Sequence, residues 1–432
     1  KRGMDMVHLG ICPKHAGTVR SMARALLGSF LLLFGCAAIS AQEPPQKPKV
    51  RAITAFIALN RSRYEAQISE TLKMLRSAKA AIEKGGYQVE SIRITTQPFP
   101  EYVRGLSRDE ALAFFRAYDA LAARESFDAN IGPAMMRDSD DPAQVELLGE
   151  ILSATKGLGS SVIVADESGI HWASIRASAR MLKAVAERSP RSQGNFGFAV
   201  TAMLGPYTPF FPGSYHTGPG RRFSVALEAA NVVEQVFRKT RGDLKAASAE
   251  LKKALGGHSA AIEQLARRVE KESGWEYMGL DPTPAPLREV SIGAAIEAFT
   301  GAPFGSSGTM TAAAIITDAV KSAPVKLVGY SGLMVPVLED NLLARRWSEG
   351  KYNIDSLLAY SAVCGTGLDT IPLPGDVTEE QLSRIIGDVA ALAHKWRKPL
   401  SARLLPVHGK KAGERTEFDD PFLENAVIQP LP

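Results

Sequence analysis

The stretch "VRAITAFIALNRSRYEAQISETLKMLRSAKAAIEKGGYQVESIRITT", Val50 to Thr96, changes its hydrophobic period twice. Val50–Leu59 is apolar and β-branched, the composition of a buried strand. Ile68, Leu72, Leu75 and Ile82 then recur at helical spacing, and Gly85-Gly86 stops that helix. "YQVESIRITT" from Tyr87 resumes an extended pattern. Strand, helix and strand in that order make a crossover unit, the connection a parallel strand pair requires. The alternation continues with a helix near 107–122, a strand near 127–131 and a helix near 142–155. A strand at Ser161–Ala165, a helix near 169–188 and a strand at Phe196–Val200 follow. This predicts an α/β fold with a largely parallel sheet. Periodicity alone leaves a closed barrel and an open sheet equally available.

Further along, residues 242–273 are charged and helical in period, and Gly256-Gly257 predicts a break that makes them a helical hairpin. Leu244, Leu251, Leu255, Ile262, Leu265 and Val269 would face a core. Thr378 with Gln381 forms a capping box for a helix striped by Leu382, Ile385, Val389, Leu392 and Trp396. "LSARLLPV" after Lys398-Pro399 reads as a final strand. With no fixed-period repeat and no internal linker, residues 50–432 read as one domain.

The chain of 432 residues carries a formal charge of +5, but the excess belongs to its first 41 residues. Lys1, Arg2, Lys14, Arg20 and Arg24 oppose only Asp5 there, leaving a nearly neutral body with no electrostatic footprint for nucleic acid. From Met22 the leader reads "MARALLGSFLLLFGCAAISAQ": a cationic start, an apolar run over Ala25–Phe34, then small residues. That is the pattern of a secretory signal, and the run is short for a membrane span. Cleavage near Ala41 would release a periplasmic or extracellular protein, whereas Leu33-Phe34-Gly35-Cys36 resembles a lipoprotein box that would tether the chain to a membrane through Cys36. Gln42–Lys49 is a Pro-rich tether. After residue 36 only Cys364 remains, so no internal disulfide framework exists and stability must come from core burial.

Candidate chemistry falls in the polar loops Gly205–Arg222, Asp281–Pro286, Gly305–Thr309, Glu339-Asp340 and Cys364–Asp376. In an α/β fold such loops gather at the carboxyl ends of strands. Cys364 needs a thiolate to act as a nucleophile, yet no basic residue follows within ten positions, so His216 or Arg403 would have to reach it. A buried, inert thiol is the plainer assignment. Glu339, Asp340, Asp369 and Asp376 could serve as acid and base or hold a divalent cation, with Pro372 and Pro374 stiffening the loop between the last two. Asp376 could equally serve the helix that follows. His216 is the only histidine in a Gly/Pro-rich loop, and no HxH, HExxH or CxxC spacing is present. "GSSGT" opens a helix at Thr309 and could cradle an anion, although it lacks the lysine of a P-loop.

Taken together, "PYTPFFPGSYHTG", "DPTPAP", "FGSSGTMTAA", "GYSGLMVPVLED", "YSAVCGTGLDTIPLPGD" and "KPLSARLLPVHGKKAGERTEFDDP" resemble the domain-of-unknown-function 711 family, the UPF0210 proteins, from about Arg51 to Val427. The resemblance implies a closed α/β barrel similar to that of pyruvate formate-lyase and anaerobic ribonucleotide reductase, with helices outside. It does not carry over their radical chemistry. The tail "RTEFDDPFLENAVIQPLP" has no glycine to hold a radical, and an exported chain would be separated from a cytosolic activating enzyme. The resulting expectation is an exported barrel protein with a pocket of Cys364, Asp369, Glu339, His216, Asp340, Asp376, Arg403 and Thr309, acting as a non-radical enzyme on a small molecule. The rivals are an envelope protein that binds a small ligand or cation without turnover, and an assembly of identical copies.

Overall fold

The computed structural model describes residues 46–431, of which all belong to one compact unit. The signal-sequence and Cys36 readings fall outside those residues. The first half runs β1 (Lys49–Ile57), α1 (Tyr64–Lys84), β2 (Val89–Thr96), α2 (Phe99–Val103), α3 (Arg108–Glu125), β3 (Asp128–Asn130) and α4 (Ala143–Ala154). It continues through β4 (Leu158–Asp166), the short β5 (Gly169–Ile170), α5 (Trp172–Arg188) and β6 (Phe198–Ala202). Then come β7 (Arg222–Glu228), α6 (Ala230–Thr240), α7 (Leu244–Ser273), β8 (Glu276–Asp281), α8 (Ile292–Thr300) and α9 (Thr309–Lys321). The chain ends with α10 (Asn341–Ser348), α11 (Ile354–Ser361), β9 (Gly367–Pro374), α12 (Glu379–Trp396) and β10 (Leu400–Val407).

All ten strands join one sheet in the order β8-β7-β1-β2-β3-β4-β6-β10-β9, with β5 beside β4. The central five strands are parallel, as the crossover pattern predicts. The flanks differ from that expectation: β7 runs antiparallel to β1, and β10 antiparallel to β6. At the two outer strands, residues 327–336 form isolated bridges to both: Leu327 to Leu280 of β8, and Pro336 to Asp369 of β9.

The helical hairpin expected at Gly256-Gly257 is absent, because α7 is one continuous helix of 30 residues. Its buried stripe of Leu251, Leu255, Ser259, Ile262, Ala266 and Val269 passes through the glycines without a change of phase. Tertiary burial of that stripe outweighs the roughly 1 kcal/mol that each interior glycine costs. Gly256 also permits a close approach, since a Cβ there would lie 3.3 Å from the Pro324 ring. Leu244 at the helix start is exposed rather than in the core, as is Trp396 at the end of α12. The segment from Gly367 to Pro374, expected as part of a loop, is the strand β9 paired with β10. An outer strand tolerates Pro372 and Pro374 because one row of its N–H groups need not enter the ladder.

The two faces of the sheet differ in chemistry. Directly paired residues share a face, so register identifies each. Ile53, Ile92 and Val225 align on one face, as do Val162, Val200 and Ala402, and these pack with the helices in the main apolar core. The other face carries Thr54, Arg93 and Asp128 in one row, and Thr201, Ser401 and Gly367 in another. Ala226 and Asp281 also align there. A small apolar cluster on this side, including Ala52, Ala226, Phe210 and Tyr330, is separate from the main core.

Candidate active site

The polar face is filled by the Gly205–Arg222 loop, one of the irregular polar loops expected from the sequence. Within it Thr208, Ser214 and His216 are fully buried. Hydroxyls and amides of the strands hold the loop's backbone: Thr54 Oγ1 donates to the Pro209 carbonyl at 2.9 Å, and Asn130 Nδ2 to that of Pro212 at 2.6 Å. Thr95 and Ser214 share a hydroxyl hydrogen bond at 3.0 Å. These contacts explain why strands so small and polar on one face are still buried: the inserted loop supplies their hydrogen-bond partners.

Three of the expected site residues do meet. Arg403 on β10 donates from Nε to Asp369 Oδ1 on β9 at 2.6 Å and from Nη2 to Glu339 Oε1. Its guanidinium lies over the Phe196 ring at 5.0 Å. Burial opposes its charge, but Asp369 and Glu339 outweigh that and raise its pKa above the ordinary value. The network extends to residues that sequence reasoning missed. Arg51 Nη2 is 3.6 Å from Glu339, and its Nη1 donates to Glu90 at 3.2 Å and to Glu228 at 3.0 Å. Lys49 Nζ adds a contact to Glu90 at 2.9 Å. Burial, together with the neighbouring Glu90 carboxylate, pushes Glu228 up to about 7 against the pull of Arg51 and Lys49. Their signal in the sequence was Lys49 and Arg51 at alternating positions of the largely apolar β1. Every charge in this cluster has a partner, so it reads as a tie between β1, β2, β7, β9, β10 and the Glu339 segment.

The remaining expected residues are dispersed. Asp340 is fully buried and accepts five hydrogen bonds: Ser291 Oγ, Leu342 N and Leu343 N reach Oδ1, while Ile292 N and Gly293 N reach Oδ2. It therefore caps α8 and α10 together. Cys364 follows α11, is 2% exposed, and among the described residues its sulfur's one hydrogen-bond contact is Ser361 Oγ, at 3.9 Å. Among the described residues neither His216 nor Arg403 hydrogen-bonds to it. The nearby cation is Lys398, whose ammonium is spent on the carbonyls of Ser361, Ala362 and Cys364 at the end of α11. Three donors meet three acceptors there, so the ammonium reaches the thiol through its charge and not through a hydrogen bond. Thr309 Oγ1 accepts from Gly305 N at 3.1 Å, closing its own loop rather than an anion cradle. Asp376 is exposed just beyond β9. Among the described residues, no group of three or more His, Cys, Asp or Glu is placed to hold a metal ion.

His216 belongs to a different place. A cleft of about 1320 Å³ opens where β1, β2, β4 and β6 end, the carboxyl edge of the parallel strands. Ala58, Gln97, Ala165 and Leu204 mark those strand ends, the α2–α4 region forms the opposite wall, and Tyr215–Gly218 lines the floor. The His216 backbone N–H is anchored to the Thr96 carbonyl at 3.0 Å, and the ring meets Tyr207 edge-on at 5.9 Å. Neither ring nitrogen makes a well-formed hydrogen bond, although the ring is buried. Burial pushes its pKa down to about 4, with the Gly218 backbone opposing and Arg222 adding to the shift. The imidazole is therefore neutral at ordinary pH.

The fold and cleft define a mixed α/β protein with a ten-strand sheet, helices over its apolar face and a ligand-sized opening at the carboxyl edge of its parallel strands. The chain belongs to the family described as Uncharacterised ACR (DUF711), whose model matches residues 44–419. It is 32% identical to a UPF0210 protein of Pyrobaculum aerophilum over 85% of each chain. It is 31% identical to one of Desulforudis audaxviator, covering 80% of this chain and 82% of that one. Among solved structures, the anaerobic ribonucleotide reductase from Thermotoga maritima in complex with dATP and CTP overlays at 9% identity and a TM-score of 0.34. The overlay covers 82% of this chain and 75% of that one, and at such a score it does not by itself establish a shared architecture.

Proposed function

We propose that this protein acts on a small molecule bound in the carboxyl-edge cleft, with His216 as a neutral proton acceptor and donor. One observation carries the reading: among the expected site residues, His216 alone combines burial, a place in the lining of the cleft and ring nitrogens that make no well-formed hydrogen bond. Glu339, Asp369, Asp340 and Arg403 are each committed to holding the fold, and Cys364 is buried outside the lining of the cleft. A base of this kind works through its positioned lone pair, without a thiolate or a radical. The sheet closes into a barrel on this reading, supported by the 327–336 segment that bridges both outer strands. The leader supports export, and cell fractionation checks it: the protein should be found outside the cytosol, and a purely cytosolic protein would overturn the export reading.

A second reading has its own observation. The His216 ring is fully enclosed, as suits a binding protein that captures a ligand without turning it over. A screen of the full chain against a metabolite library, read first by thermal stabilisation and then by mass spectrometry, separates the two. The expected result is a ligand that stabilises the wild type and is converted by it, with conversion lost in His216→Asn. Conversion at an unchanged rate in the variant would sink the catalytic role, and binding without product would favour capture. The pH profile checks the histidine independently. A pKa depressed from 6.5 to about 4 contributes stability above pH 6.5 that is lost as pH falls through 4, and His216→Asn should lack that contribution.

A further inference from the structure

We propose that Tyr207 and Arg222 are positioning residues for His216, fixing the backbone on both sides of it and packing against its ring; this rests on reading His216 as the working group of the carboxyl-edge cleft. The need for such residues follows from the ring itself. Neither of its nitrogens makes a well-formed hydrogen bond, so its own polar atoms do not set its orientation. Orientation is left to the backbone and to ring packing. The His216 N–H is held by the Thr96 carbonyl at 3.0 Å, and its two neighbours in the chain are both held by Tyr207. The Tyr207 N–H donates to the Tyr215 carbonyl at 3.0 Å and its hydroxyl to the Thr217 carbonyl at 2.5 Å, so one residue brackets His216 from both sides. Its ring also meets the imidazole edge-on at 5.9 Å.

This bracket is built on the sheet. Phe56 of β1, Arg222 of β7 and Glu276 of β8 are register partners and share one face. Tyr207 stands on that row: its ring meets Phe56 edge-on at 5.3 Å, and the Arg222 guanidinium lies over it at 5.0 Å. Arg222 Nη1 donates to the Tyr207 oxygen at 2.8 Å and to the Thr217 carbonyl at 3.0 Å, while its Nε is held by Glu276 at 2.8 Å. The Thr217 carbonyl thus accepts from two side chains that are themselves anchored. Burial raises the pKa of the Tyr207 hydroxyl, with Arg222 opposing, which keeps it a donor at ordinary pH. The backbone supplies an independent sign. Tyr207 has φ +70°, in the left-handed region that disfavours a bulky side chain, and such strain persists where the surroundings over-determine it, most often beside working groups. A loop needed only to fill the sheet face would take glycine there at no steric cost, as this loop does at Gly218 with the same φ.

Imidazole nitrogen NMR of the full chain, titrated with pH and without ligand, tests the assignment; the His216 signals are those missing from His216→Asn. Wild type should show one neutral tautomer that protonates at about pH 4. Tyr207→Phe removes one oxygen and no charge. That variant and Arg222→Gln should each admit water to the loop, mix the tautomers and raise the proton affinity of His216 about tenfold. Loss of thermal stability in both variants with an unchanged His216 titration would reduce the pair to a structural tie and overturn the assignment, as would two variants indistinguishable from wild type. A shift in Arg222→Gln without one in Tyr207→Phe would mark a charge effect alone and overturn it too. Tyr207→Phe decides the matter by itself should Arg222→Gln fail to fold. Each of these failures leaves the proton-transfer reading of His216 standing; that reading falls separately, by unchanged conversion in His216→Asn.

Discussion

Arg403→Met should lower the unfolding free energy by about 3–5 kcal/mol, the largest loss expected from any single ion-network substitution here. The side chain neutralises Glu339 and Asp369, which are 9% and 8% exposed, and it is itself 11% exposed. Removing it leaves two carboxylates out of water with Arg51, 3.6 Å from Glu339, as the remaining cation. The cost comes from stranding those charges, because an intact buried pair adds little net stability over an apolar replacement. Arg403→Lys should recover less than half of the loss, since one ammonium cannot reproduce a fork that reaches both β9 and the Glu339 segment. Denaturant unfolding of both variants measures this directly. A loss below about 1 kcal/mol, the value of an exposed pair, would show the network to be solvated and only weakly coupled.

Asp340→Asn should cost about 3 kcal/mol, with the damage localised to two helix starts. The substitution keeps the shape but turns one acceptor oxygen into an amide that faces backbone donors. At Oδ2 those donors are Ile292 N at 2.7 Å and Gly293 N at 3.2 Å; at Oδ1 they are Ser291 Oγ, Leu342 N and Leu343 N. Burial raises the pKa of this carboxyl while the hydrogen bonds from Ser291, Leu343, Gly293 and Ile292 oppose the shift. Hydrogen exchange should show the amides of Ile292, Gly293, Leu342 and Leu343 losing protection together in the variant. Loss at only one helix, or none, would mean that Asp340 is not the shared cap. Neither substitution touches the cleft, so ligand binding by the folded fraction should survive both.

The elements were largely legible because they are local. The β1–α1–β2 unit, the capping box of α12 and the strand β10 follow from period, caps and stops that each residue shares with near neighbours. The failures were places where a distant partner overrode a local signal. Gly256-Gly257 should break a helix, but the buried stripe of α7 carries through it. "TIPLP" reads as a stiff loop, yet pairing with β10 makes it a strand. Of the candidate site, the meeting of Glu339, Asp369 and Arg403 was anticipated in part, as members of one pocket; Arg51, Glu90 and Glu228 were not. Cys364 looked distinctive by composition and proved to be a buried residue beside a lysine 34 positions away.

What the sequence by itself determined is the α/β alternation, the family and the identity of the groups able to do chemistry. These depend on spacing and residue type, which are read along the chain. Only the tertiary structure decided which of those groups are already used. A carboxylate is free or committed according to whether backbone donors or a guanidinium from another strand converge on it, and that is a matter of packing between residues far apart in sequence. Asp340, Asp369 and Glu339 are spent on the fold in this way, whereas His216 is desolvated by its loop and left without a well-formed hydrogen bond.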